Sequence, residues 1–132
     1  MAAEVPLPTA TPLTAPYWEG LAAGELRFQR CGECRNAWLP AREECPRCLS
    51  DSVSWEASGG RGRVVSWVVY HSAVHPAFAD RVPYNVAVVE LDEGPRLITN
   101  VNAPDDALAI ELPVTVSIED ESGVNIARFA PA

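Results

Sequence analysis

The residues with the clearest chemistry in this chain are its four cysteines, which form two Cys-x-x-Cys pairs, Cys31 with Cys34 and Cys45 with Cys48. Zinc prefers four soft ligands in a tetrahedron, and each Cys-x-x-Cys turn supplies two thiolates from one tight loop. Two such turns fill every ligand position, so the spacing predicts a structural zinc site that leaves no place for a catalytic water. Disulfide bonds or redox chemistry are the alternatives. No secretory signal precedes the pairs, which favours reduced cysteines and a cytoplasmic location.

Residues that could form a catalytic centre are scarce. The two histidines are His71 and His75, no cysteine lies outside the two pairs, and no serine lies in a Gly-x-Ser-x-Gly turn. A histidine could act as a base, with Asp80 on the same loop as its acid, but no nucleophile accompanies such a dyad. We therefore expect no catalytic residue in this chain. A stand-alone hydrolase lacks the residues it would need.

The charged residues are unevenly distributed. The net charge is -8, all ten basic residues are arginines, and seven of them precede residue 64, whereas acidic residues dominate residues 80–121. This balance argues against a general nucleic-acid binder, whose affinity comes largely from neutralising phosphates. The lack of lysine excludes Schiff-base chemistry on a lysine of this chain. Guanidinium groups suit phosphate or carboxylate recognition, although biased genome composition would also explain them.

The elements that position the cysteines can be predicted from local patterns. A chain of 132 residues has room for one modest core and a small appendage, and it has no apolar run of the ~20 residues that span a bilayer. The proline-rich residues 1–15 predict an extended arm, and residues 16–57 predict a short helix followed by a zinc ribbon. In that helix Tyr17, Trp18 and Leu21 share a face, and Gly24 is suited to end it. Residues 58–62 are rich in glycine and predict a flexible joint.

Residues 58–132 are interpreted as a barrel, because five strand patterns follow with no helix pattern between them. The predicted strands are residues 63–70, 84–92, 95–101, 113–119 and 125–129. Closure of a small barrel removes exposed edges, which favours a five-stranded OB-fold, with an SH3-like barrel or a small sandwich as alternatives. The valine-rich strands, with Trp67, are interpreted as core. The fold class is therefore mainly β: an N-terminal helix, a zinc ribbon and a barrel.

Several of these segments together resemble a known family. They are PYWEGLAAGEL at residues 16–26, the two cysteine pairs, SGGRG at 58–62, PYNVAVVELDEG at 83–94 and RFAP at 128–131. The chain resembles the acyl-CoA-associated OB-fold proteins with a rubredoxin-like zinc ribbon, the domain-of-unknown-function-thirty-five family. The likeness runs from about residue 16 to the last residue. It departs at Arg35 and Glu111, where glycine is common in the family.

The resemblance implies a non-catalytic accessory subunit of a thiolase-fold enzyme that acts on acyl-CoA thioesters. Such enzymes include acyltransferases and the lipid-transfer-protein-like aldolases that shorten sterol side chains, and two copies of each chain would form a heterotetramer. A hotdog-fold enoyl-CoA hydratase is a further possible partner. Coenzyme A thioester would be a ligand shared by the complex, with Arg61 and Arg63 on its phosphates, although a solvated joint explains both arginines equally well.

The partner interface is expected to include five side chains: Trp18, Trp38, His71, His75 and Phe78. The two tryptophans could equally belong to the core, and the two histidines could equally lie on a solvated loop. The alternative function is a nucleic-acid binder, because a zinc ribbon and an OB-fold also occur together in translation and transcription proteins. The acidic barrel and the absence of lysine weigh against that alternative. No membrane partner is expected.

Overall fold

The computed structural model describes residues 4–132, and it contains one α-helix and two antiparallel sheets. A three-stranded sheet forms the ribbon and a five-stranded sheet forms the barrel. The elements in chain order are α1 (Ala15–Ala22), β1 (Arg27–Cys31), β2 (Ala37–Trp38), β3 (Val53–Ala57), β4 (Arg61–Tyr70), β5 (Tyr84–Leu91), β6 (Arg96–Thr99), β7 (Pro113–Glu121) and β8 (Val124–Pro131), with short 3-10 helices at Pro76–Arg81 and Asp105–Ala107. The prediction of a mainly β fold is confirmed.

Helix α1 begins and ends where the sequence predicts. Proline is tolerated in the first turn, and Pro16 lies there. Beyond the last turn Gly24 has a φ of +86°, a conformation that side chains other than glycine rarely adopt. Gly20, an unfavourable residue inside a helix, has a packing role: a Cβ at this position would lie 2.7 Å from the side chain of Arg27. Through this close approach Arg27 donates a hydrogen bond to the Pro16 carbonyl.

The ribbon sheet has the order β2-β1-β3, so β1 is its central strand. Gln29 of β1 pairs with Trp38 on one side and with Trp55 on the other. The Gln29 side chain is almost completely buried and its Oε1 accepts a hydrogen bond from the backbone N–H of Arg42. This bond satisfies a buried polar group and fixes the loop that leads to the second cysteine pair.

The barrel sheet has the order β6-β5-β4-β7-β8 and is curled so that its ends meet. A bridge between Val101 and Phe129 closes it beside β6 and β8. This is the strand order of an OB-fold: a three-stranded meander whose first strand pairs with the fourth. Phe129, Val64 and Val89 are fully buried at its centre, together with Leu21 of α1 and Leu26. Trp67 packs against this core, as expected. The helix therefore contributes to the barrel core as well as preceding the ribbon.

Residues 58–62 are not the flexible joint that their glycines predict. The Ser58 hydroxyl and the Gly59 N–H each donate a 2.8 Å hydrogen bond to the carboxylate of Glu93, in the hairpin between β5 and β6. Gly60 is buried, and its carbonyl accepts a hydrogen bond from Val116. The glycine content of the segment indicated flexibility. The carboxylate that fixes it lies more than 30 residues further along the chain, so a local pattern could not reveal it. The division of the chain at residue 58 stays a prediction.

The predicted arm is described only from residue 4, and residues 1–3 lie outside the described part of the chain. Residues 4–11 have no helix or strand assignment. Val5, Pro6, Leu7 and Pro8 line a cavity at one end of the barrel. Thr11 and Thr14 then bond each other through side-chain and backbone groups and lead into α1.

Candidate metal centre and binding surfaces

The two cysteine turns have the same backbone geometry. In the first turn the N–H of Cys31 donates to the carbonyl of Asn36, and in the second the N–H of Cys45 donates to the carbonyl of Ser50, both at 2.8 Å. The residue after each second cysteine is left-handed, Arg35 with a φ of 67° and Leu49 with a φ of 64°. The departure from glycine at Arg35 therefore leaves the turn intact. The larger side chain occupies the backbone conformation that glycine adopts most easily.

The four cysteine sulfurs converge on one point. All four Sγ atoms lie within 4.8 Å of one another, with 3.5 Å between Cys31 and Cys48 and 3.6 Å between Cys34 and Cys45. A tetrahedral zinc ion with Zn–S bonds of about 2.3 Å holds its sulfurs ~3.8 Å apart. The donor set is entirely sulfur and its spacing is that of a four-thiolate zinc site. The prediction of a structural zinc site is supported by this geometry.

The surroundings of the sulfurs favour thiolates at some positions and oppose them at others. The backbone N–H groups of Cys34 and Glu33 lower the pKa of the Cys31 thiol. Burial raises the pKa of the Cys45 thiol, but hydrogen bonds from the backbone of Cys48 and Arg47 outweigh it and lower the pKa to about 6. The backbone N–H of Ser50 lowers the pKa of Cys48, yet the neighbouring sulfurs and burial raise it to about 12. Four adjacent thiols thus need a cation to ionise together.

Trp38 belongs to the core of the ribbon, which corrects its placement at a partner interface. The side chain is 5% exposed and packs with Cys31 and Cys45. Such a buried ring offers almost no surface to another protein. Trp18, in contrast, is half-buried and lines an apolar cleft of about 370 Å³ with Tyr17, Leu39 and Ile98. Burial raises the pKa of the Tyr17 hydroxyl.

The loop between β4 and β5 holds two of the other predicted interface residues, His75 and Phe78, in a packed cluster. The Nδ1 atom of His75 accepts a hydrogen bond from the Ala77 N–H and so caps the 3-10 helix, and the ring lies 5.9 Å from Phe78. Phe78 also contacts Tyr84, and Arg81 lies over its face at 5.2 Å. His71 is exposed. Within residues 4–132 neither histidine bonds a carboxylate, so the geometry supplies no base and acid pair.

Arg61 and Arg63 differ although they flank the same glycine. Arg63 is bound by the carboxylates of Glu90, at 3.1 Å, and Glu111, and the side-chain hydrogen bond to Glu111 and then that to Glu90 raise its pKa. Glu111, at a position where glycine is common, has a φ of 70° and turns its carboxylate to Arg63. Arg61 is exposed, and its side chain has no ion pair within residues 4–132. Of the two, Arg61 is the cation free to meet a phosphate.

A cavity of about 500 Å³ at the end of the barrel was not predicted from the sequence. Arg128 bonds Glu119 at 3.2 Å and lies 3.7 Å from Glu121, which also pairs with Arg81. The hydrogen bond from Arg81 lowers the pKa of Glu121. No local signal identifies this network, because its members come from three separate segments. The arginines and glutamates of this network pair with one another, whereas Asp105, which also lines the cavity, has no ion pair within residues 4–132.

Two family models match this chain in consecutive segments. The model described as the ChsH2 rubredoxin-like zinc ribbon domain matches residues 18–54, and the model described as the ChsH2 C-terminal OB-fold domain matches residues 55–119. Together they cover the ribbon and most of the barrel. In residues 4–132 no helix is long and apolar enough to cross a membrane.

A solved structure described as "Ltp2-ChsH2(DUF35) aldolase" contains a chain with the same fold. The TM-score is 0.82 at 33% sequence identity, and the alignment covers 95% of this chain and 98% of that one. A DUF35-family protein of unknown function from Sulfolobus solfataricus has a TM-score of 0.68 at 13% identity, which shows the fold alone.

Curated relatives have related descriptions. A probable enoyl-CoA hydratase alpha subunit of Thermomonospora curvata is 36% identical over 129 residues, which are 96% of this chain and 40% of that protein. The 3-oxo-4,17-pregnadiene-20-carboxyl-CoA hydratase alpha subunit of Mycobacterium tuberculosis is 36% identical over 116 residues, 86% of this chain and 36% of that protein. A DUF35 domain-containing scaffold protein of Methanocaldococcus jannaschii is 36% identical over 69 residues, 52% of this chain and 48% of that protein. The chain thus spans less than half the length of these relatives.

Proposed function

Because this chain belongs to the ChsH2 family of DUF35 proteins, we propose that it is a non-catalytic accessory subunit of an enzyme acting on acyl-CoA thioesters. The enzyme would have a thiolase fold and act as an aldolase or acyltransferase. The observation that carries this proposal is the match, over nearly the whole of both chains, to a chain in a structure described as an Ltp2-ChsH2(DUF35) aldolase. The relatives described as scaffold proteins also favour a structural role in an assembly.

The chemistry of the chain supports a subunit that does not catalyse by itself. Within residues 4–132 the four cysteines form one closed ligand set, and His75 is engaged in capping a helix. The zinc ion would be held by Cys31, Cys34, Cys45 and Cys48 and would supply folding stability rather than a reactive water, since no ligand position remains open. The ribbon and barrel would then act as a rigid support for the partner.

The identity of the partner is proposed in more detail from the descriptions of the relatives. A thiolase-fold dimer would bind one copy of this chain at each active site, giving two copies of each chain. The relatives described as hydratase alpha subunits support a second partner, a hotdog-fold enoyl-CoA hydratase. The steroid-derived name of the Mycobacterium tuberculosis relative supports a substrate with a sterol side chain.

Coenzyme A thioester is proposed as a ligand shared by the two subunits. Arg61 could bind a phosphate oxygen through its exposed guanidinium, at the junction of ribbon and barrel. Arg63 is expected to contribute less to phosphate binding, because Glu90 and Glu111 already pair with its guanidinium.

The proposal is tested by co-expression with the products of the neighbouring genes, any thiolase-fold enzyme among them first. We expect the chain to co-purify with one of them and to elute with it as a single species on size-exclusion chromatography with light scattering. The isolated chain should turn over neither acyl-CoA nor 3-hydroxyacyl-CoA, because it lacks a nucleophile, whereas the complex should be active.

The opposite result favours the alternative function. If the chain elutes apart from every such enzyme and shifts single-stranded nucleic acid at moderate salt, the accessory-subunit proposal is wrong. The net charge of -8 makes that result unexpected.

A further inference from the structure

The outer face of β4, β5 and β6 is apolar across all three strands. Register places Ile98 beside Val88, and Val68 beside Val86, while Tyr70 lies beside Tyr84 with 5.5 Å between the ring centroids. Alternate residues of a strand share a face, so these six side chains form one continuous patch, here called the outer patch. Ile98 is 76% exposed, Val68 54% and Tyr70 38%. The interpretation of these valine-rich strands as core is therefore wrong for their outer face.

The outer patch contains no charged side chain. Ser66, which pairs with Val88, lies next to the patch and is polar but uncharged. A row of ion pairs limits the patch on one side, where Glu90 binds both Arg63 and Arg96. On another side Ile98 leads into the apolar cleft that Trp18 and Leu39 line. Contiguous exposed apolar side chains of this kind are a feature of protein interaction sites.

Strand β4, which contributes Val68 and Tyr70 to the outer patch, also has an open edge. β4 pairs with β7 only over three residues, Arg61 to Arg63, and Val64 adds backbone hydrogen bonds with Leu112 and Glu111. In the described part of the chain, residues 66–70 have backbone partners only in β5. Because alternate residues of a strand direct N–H and C=O groups to opposite neighbours, part of this segment presents unpaired groups to solvent.

Residues 66–70 carry none of the side-chain features that usually keep another strand from pairing with an exposed edge. Natural sheets protect exposed edges with lysine, proline, inward-pointing charges or bulges. Residues 66–70 are Ser, Trp, Val, Val and Tyr, none of which does so. The one irregularity of β4 lies before this segment, between Val64 and Ser66.

We propose that the open edge of residues 66–70, together with the outer patch, is where this chain docks on its enzyme partner. The partner would add an uncharged, extended segment antiparallel to β4 and lay its apolar side chains on Val68 and Tyr70. Main-chain hydrogen bonds would then supply affinity, and the alternating side chains would supply specificity. This inference rests on the proposed function, since it locates the surface through which the accessory subunit acts.

Charge favours an enzyme partner over a second copy of this chain. Two copies paired through β4 would bring together two bodies of net charge -8, and neither outer patch holds an arginine to offset the repulsion. A neutral apolar surface on a different protein meets no such opposition. The occupant is therefore expected to be an apolar strand of the partner enzyme.

The test measures binding of the partner by variants of the outer patch. Val68→Glu should raise the Kd of the co-purifying complex by about 30-fold or more, as for a residue central to an interface. Ile110→Glu is the matched control, because Ile110 is 59% exposed but lies outside the patch and the edge, and its Kd should stay near that of wild type. Ile98→Glu provides a second variant on a different strand, and far-UV circular dichroism with zinc content shows that each variant is folded.

Hydrogen exchange tests the strand pairing directly. Those amides of residues 66–70 that are not bonded to β5 should exchange quickly in the free chain and become protected in the complex. Equal partner binding by wild type, Val68→Glu and Ile98→Glu would overturn this inference and leave the proposed function standing. Failure of the wild-type chain to bind any thiolase-fold enzyme overturns both. Protection of residues 66–70 in a dimer of the free chain would make a second copy the occupant and overturn the inference.

Discussion

Cys45 is one of the two buried cysteines of the proposed zinc site. It is completely buried, and its sulfur accepts hydrogen bonds from the Arg47 N–H and the Asn36 amide. We expect Cys45→Ser to lose the metal and, with it, the order of the ribbon, because metal binding free energy is folding free energy in so small a unit. Metal analysis and amide exchange of residues 27–57 measure both effects.

The control for this variant is Glu44→Ser, one residue earlier. Glu44 is exposed and makes no ion pair within residues 4–132, so its replacement should leave zinc content at one ion per chain. Absence of zinc from reduced, freshly purified wild-type protein would end the prediction.

Arg61 and Arg63 are expected to contribute unequally to binding of a CoA ester. Arg61→Glu should weaken binding of a CoA ester by the complex about tenfold or more, the loss expected when a charge-assisted hydrogen bond of ~1.5 kcal/mol is removed. Arg63→Gln should change it less, because Glu90 and Glu111 already occupy that guanidinium. Titration calorimetry of the assembled complex gives both constants. A larger loss for Arg63→Gln would contradict the assignment to Arg61.

Glu93 connects the barrel to the segment that follows the ribbon sheet. Its carboxylate accepts hydrogen bonds from Ser58 and Gly59, which lie between β3 and β4. We expect Glu93→Ala to lower the free energy of unfolding by about 1 kcal/mol, because water replaces part of what is lost at this half-exposed site. Protease cleavage near residues 58–60 should become faster. Urea unfolding and limited proteolysis provide the two measurements.

Asp92→Ala is the matched control for Glu93→Ala. Asp92 is an exposed neighbour in the same hairpin. Its backbone N–H donates to the Arg61 carbonyl, and its side chain forms no bond within residues 4–132. The backbone bond survives the substitution, so stability and cleavage should both stay close to wild type. Equal effects of the two substitutions would show that Glu93 does not fasten the junction.

Local patterns predicted most of the fold of the whole molecule, and long-range contacts account for what they missed. The alternation in residues 84–92 correctly predicts β5, with Asn85, Ala87 and Val89 turned inward. The spacing of the cysteines predicts the ribbon. The strand pattern and the cysteine spacing are both readable because each depends on residues only a few positions apart. Burial of Trp38 and pairing of Arg63 with Glu111, 48 residues away, depend on tertiary packing. The exposure of Val68 also could not be predicted, because residues 63–70 carry apolar side chains at consecutive positions and do not alternate with polar ones.

The uncharged outer patch has a consequence for how the free protein behaves as a colloid. With a sequence pI near 4.6 the chain is strongly anionic at neutral pH. Electrostatic repulsion between copies acts over longer distances than apolar contact, so it keeps the outer patches of two copies apart. Added salt shortens the range of that repulsion to about 10 Å at 0.1 M. Acidification towards the pI removes its source. We therefore expect the protein without its partner to aggregate least at low ionic strength and well above the pI. Under these conditions electrostatic repulsion limits association through the exposed outer patch.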